Sequence, residues 1–158
     1  MIRIAIFVAL LIGVAVFALR KGGGPERAMA LILIGMFAAD QILHLCMPPR
    51  FASIDTGHLA IDMAAALSTL VLALVAHRFW PMLAAVLQIL PLSAHVGKAA
   101  DLSVHPIAYQ TMQVAASWPL LLVLALATCR HVSRLRATGS DPSWHVSWRR
   151  SNRRTASI

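Results

Sequence analysis

AMALILIGMFAADQILHLC, residues 28–46, is the stretch whose reading decides the fold. As far as Ala39 it carries no charge; Asp40 and His44 then appear four residues apart. A helix crossing a bilayer core needs about 20 mostly apolar residues, and this run has that length. Four more apolar runs, 4–19, 63–76, 79–94 and 114–129, contain no Lys, Arg, Asp or Glu. Over 158 residues the chain is 59% hydrophobic and 13% charged, against roughly a quarter charged in a soluble domain. The expectation is an all-α integral membrane bundle of five transmembrane helices.

The spans fall at about 2–20, 26–46, 56–77, 81–102 and 107–129. The first reads as an uncleaved helix, because Arg20 and Lys21 follow it at once and it exceeds the usual apolar core of a signal peptide. GGGPER makes the first turn, with Pro25 suited to a first helical position. MPPRFASIDTG forms the next loop, Asp55 capping the third helix. HRFWP turns tightly with Trp80 at interface depth. Pro91 should kink the fourth helix, and the fifth contains Pro119. Ala60, Ala64 and Ser68 recur at four-residue spacing, the small-residue pattern that lets helices approach closely in lipid. Cys46 and Cys129 belong near opposite faces, too far apart for a disulfide.

Basic residues set the orientation. Arg20, Lys21, Arg27, Arg78 and the seven arginines after Cys129 all fall on one side of a five-span chain. Only Arg3, Arg50 and Lys98 fall on the other. This places the N-terminus outside and the C-terminus in the cytoplasm. Residues 1–129 form the bundle and 130–158 a basic, partly disordered cytoplasmic tail. The net charge of +8 comes mainly from that tail, so nucleic acid is not needed to explain it. Trp144 and Trp148, spaced i,i+4 beside Arg149, Arg150, Arg153 and Arg154, suggest a short helix contacting anionic lipid or a partner.

The polar residues inside the spans share one depth. At 1.5 Å rise per residue, Asp40 and His44 lie about 20 and 26 Å from Arg27. Asp62 and His58 lie about 24 and 30 Å from Arg78, and His95 about 26 Å. DQILHL and HLAID carry Asp and His in opposite order because their helices run antiparallel. Four-residue spacing puts each pair on one helix face, and exposure of such groups to lipid is costly. Asp40, His44, His58, Asp62 and His95 therefore form a candidate site facing the bundle interior, in its outer leaflet.

Imidazoles and carboxylates suit Zn, Fe or Mn. His44 and His95 could instead hold a haem iron, or the layer could relay protons. The plain alternative is that these groups only hydrogen-bond one another and fix packing. Other polar groups read as ordinary: Gln88 making a packing bond, Lys98, Asp101 and His105 snorkelling, His77, His131 and His145 solvated.

GPERA, DTGHLAID, HRFWP and AYQTM resemble segments of small multi-pass membrane proteins of alphaproteobacterial type, over most of the chain up to SDPSWH. The resemblance implies an inner-membrane location and transfers no activity. Two readings of function follow. One is a non-enzymatic accessory subunit that packs against lipids and other membrane subunits, or in a homo-oligomer. The other is a protein binding a transition metal or haem at the His/Asp layer. A proton-coupled transporter fits less well, since five helices leave little room for a path.

Overall fold

The computed structural model describes residues 2–46, 56–100, 105–139, 141, 143 and 144. All the named elements are helices: α1 (Ile2–Lys21), α2 (Gly24–Cys46), α3 (Thr56–Val75), α4 (Trp80–Leu87), α5 (Ile89–Ala100), α6 (Pro106–Val114) and α7 (Ser117–Thr138). They make five stretches long and apolar enough to cross a membrane, with α4 and α5 forming the fourth and α6 and α7 the fifth.

Proline divides these last two spans, the fourth at a point the sequence places slightly late. Pro91 has no N–H for the carbonyl of Leu87, and its ring crowds that turn. The helix therefore breaks at Gln88, between α4 and α5. Pro119 likewise leaves the Ala115 carbonyl without its donor, and a turn at 115–116 separates α6 from α7. Pro25 and Pro81 sit in the first turns of α2 and α4, where a missing N–H costs nothing.

Helix α1 packs on α2 and α7; α3 packs on α2, α4 and α5; α4 also meets α7, and α5 meets α6. The core joins Leu11, Ala15 and Ala18 of α1, Met29, Ala30 and Leu33 of α2, Leu72 of α3, Ala84 of α4, and Leu120, Leu121 and Leu124 of α7. Alanine is dense on this list, and small side chains let helix backbones close on one another where no hydrophobic effect drives them together. The outer surface carries Ile12, Leu67, Leu74, Leu122 and Leu126, all largely exposed. An apolar exterior is what a bilayer solvates.

Three details differ from expectation. Ala60, Ala64 and Ser68 are exposed, and α3 buries Ala65, Thr69 and Leu72 instead. The fifth span runs on to Thr138, nine residues past Cys129, and ends on Gly139 in the left-handed conformation that glycine adopts freely. Trp144 is not on a helix; it forms an antiparallel bridge with Ala76. Trp148, Arg149, Arg150, Arg153 and Arg154 lie outside the described residues, as do Asp55, Asp101 and His145.

Candidate functional site

Asp40 and His44 are one turn apart on α2, opposite His58 at the start of α3. The His44 Nδ1–H donates to the Asp40 main-chain carbonyl at 2.8 Å. That bond fixes the tautomer and leaves Nε2 as the nitrogen with a lone pair to offer, the arrangement that orients metal-binding imidazoles. His58 Nε2 lies 3.1 Å from Asp40 Oδ1. The His44 and His58 rings meet edge to face with centroids 5.2 Å apart. One ligand atom from each of Asp40, His44 and His58 falls within 4.8 Å of the others. Two imidazoles and one carboxylate are thus gathered from two antiparallel helices. A three-ligand set of this kind could hold a transition metal and leave coordination positions open.

Asp62 and His95 form a second set. His95 Nε2 lies 3.0 Å from Asp62 Oδ2, and the Tyr109 hydroxyl is 2.7 Å from His95 Nδ1. With Nε2–H given to Asp62, Nδ1 accepts from Tyr109. Gln113 Nε2 lies 3.2 Å from His95 Nε2, on the side of the ring that faces Asp62. His95 and Tyr109 are almost wholly buried. Both ring nitrogens of His95 have partners within the chain. The five expected residues are therefore brought to one end of the bundle but divided, three in an open cluster and two in a closed hydrogen-bonded chain.

Both sets border a cavity of about 860 Å³. Asp40, His44, His58, Asp62, Tyr109 and Gln113 supply its polar wall. Phe7, Leu11, Leu33, Phe37, Trp118 and Leu121 supply much of the apolar one. Phe7 joins Phe37 and Trp118 in ring contacts at 6.5 and 5.5 Å.

The sequence reading missed Tyr109, although it stands one turn from Gln113 on the same short helix. It also misplaced Lys98, which is 2% exposed rather than snorkelling. Gln88 is buried with its amide on Met36 Sδ, a packing contact as expected.

At the opposite, basic end lies a polar network with no precedent in the sequence reading. Arg78 bonds Glu26 and lies 2.8 Å from Asp141 Oδ2. His131, expected in solvent, is buried, with Nδ1 2.7 Å from that same Asp141 oxygen. Trp80 Nε1–H donates to Glu26 Oε1 at 3.0 Å. The His77 N–H donates to the Ser143 carbonyl, and the Trp144 indole covers Gly24. The chain after α7 thus folds back over the α1–α2 and α3–α4 turns.

No protein-family model, characterised protein or solved structure matches this chain.

Proposed function

We propose that this chain is a metal-binding protein of a bacterial inner membrane, with its N-terminus outside and its C-terminus in the cytoplasm. Asp40, His44 and His58 hold a divalent first-row transition metal on the periplasmic side. The observation that carries the reading is the convergence of three ligand atoms within 4.8 Å on the rim of a cavity. A mixed nitrogen and oxygen donor set favours Zn, Fe(II) or Mn over Mg or Ca. Asp62, held through His95 to Tyr109, lines the same cavity and is the acid–base group nearest to hand.

Metal analysis of the purified protein after incubation with Zn(II), Mn(II) or Fe(II) tests this. One metal per chain is expected, lost in a His44→Ala, His58→Ala double variant. Equal metal in wild type and double variant overturns the reading, and a Soret band in the visible spectrum favours haem instead.

An accessory-subunit role is favoured by one observation, the outward-facing Ala60, Ala64 and Ser68 on α3. A second helix packs on such a surface only while it stays small. Ala64→Leu should then reduce the size of the detergent-solubilised assembly; an unchanged size removes this reading.

A further inference from the structure

The cavity changes character along the bundle axis in the same direction on three spans. On α2 its lining passes from His44 and Asp40 through Phe37 to Leu33. On α1 it passes from Arg3 to Leu11, and on α6 and α7 from Gln113 to Leu120. His44 and Leu33 are 11 residues apart, about 16 Å along the axis. The rim is thus polar and charged, and the floor is aliphatic apart from Gln88, whose amide is already placed on Met36 Sδ.

Water needs two to four polar partners at a buried site, and this floor offers almost none. The space is open to the surface, where Ile4, Val114 and Trp118 of its lining are exposed, so an apolar chain can enter it from the bilayer. At about 860 Å³ it lies inside the roughly 300–1,000 Å³ of pockets that hold one small molecule, which suits one chain rather than a two-chain lipid.

From this gradient we infer that the cavity binds a single-chain amphiphile with an anionic oxygen head, its tail in the bundle and its head at the His/Asp rim. The head placement rests on the metal reading. Without a cation Asp40 and Asp62 repel an anion; with one, the open coordination positions accept its oxygen, and Arg3 adds positive charge on the same wall. The tail lies along Phe7, Phe37 and Trp118, the aromatic contacts that border the space.

The bound tail should quench Trp118. The full chain in detergent with Zn(II) is titrated with ω-bromododecanoic acid, whose terminal bromine quenches tryptophan on contact. Saturable quenching is expected, absent in Trp118→Phe. Val114→Phe, which narrows the cavity from its wall, should weaken it at least about tenfold, or about 1.4 kcal/mol. The neutral ω-bromododecanol should bind weaker by a similar factor, and inorganic phosphate should not compete. Non-saturable quenching shared by every variant means partition into the micelle and overturns the proposal, even where zinc still binds. Saturable quenching that persists unchanged in the His44→Ala, His58→Ala variant overturns the head placement. If zinc does not bind at all, the metal reading has failed first, and the ω-bromododecanol titration alone decides whether a tail enters.

Discussion

The two ends of the bundle use the same residue types in opposite ways. At the basic end, Arg78, Glu26 and Asp141 keep at most 6% of their side-chain surface exposed, and His131 closes the group. Residues from two turns, the end of α7 and the chain beyond it meet there. At the other end Asp40 and His44 keep 37% and 49% of their surface open, and the cavity takes the place of a packed core. Paired, buried charge fixes how segments dock, because any other arrangement strands an ion in a poor solvent. At the other end His44 and His58 meet Asp40 in part-exposed pairs on the cavity rim. The first end docks segments; the second carries the proposed metal site.

Breaking the buried end should produce the largest effect. Arg78→Met removes the cation between Glu26 and Asp141 and should cost about 3–5 kcal/mol, read by thermal unfolding in detergent. Adding Glu26→Gln and Asp141→Asn should return most of the loss, since no charge is then stranded. Asp40→Asn, at the open end, should change stability by less than about 1 kcal/mol while abolishing metal retention. A loss as large as that of Arg78→Met would show that the open end is architecture too, and the contrast would collapse.

Ligand linkage sharpens the same contrast at the next level. Zinc at 100 times its dissociation constant should stabilise the wild type by about 2.7 kcal/mol and leave His58→Ala unmoved. Acidification should weaken the effect, because protons compete for the imidazole lone pairs. Tyr109→Phe should cost about 1–3 kcal/mol: it deprives the buried His95 Nδ1 of its donor while leaving Asp40, His44 and His58 intact. Metal affinity that falls with Tyr109→Phe would show that the closed chain and the open cluster act as one unit.

The contrast also marks what can be read from sequence. Five spans were legible because length and apolar content are local, additive properties. So was the gathering of Asp40, His44, His58, Asp62 and His95 at one end, through shared depth and reversed order; which of them bond, Asp40 with His58 and Asp62 with His95, was not. The sequence places the kink of the fourth helix at Pro91, whereas the breaks before Pro91 and Pro119 fall three to four residues earlier, at the carbonyls deprived of a donor. The basic-end network was not legible, since Arg78 pairs with Glu26 and Asp141, 52 and 63 positions away, and looks like a topology marker. His131 and Asp141 sit in a segment whose composition reads as solvated tail. Tyr109 was overlooked because an aromatic residue near a helix start reads as an interface anchor; its role depends on where α5 delivers His95.

The smallest expected effect tests whether the fold-back over the basic end is specific. A Cβ at Gly24 would stand 2.5–2.7 Å from three atoms of the Trp144 indole. Glycine is thus required here by close approach rather than by backbone angle. Trp144 is 39% exposed and can swing aside, so Gly24→Ala should cost less than about 1 kcal/mol, with relief from replacing glycine inside a helix offsetting part of the lost contact. The loss should fall on the docked segment alone: protease cleavage between Gly139 and Trp144 should accelerate while the bundle's unfolding temperature barely moves. Cleavage at the wild-type rate would mean that Asp141, through Arg78 and His131, holds the segment by itself. In that case the indole only covers what the ion pairs have already closed.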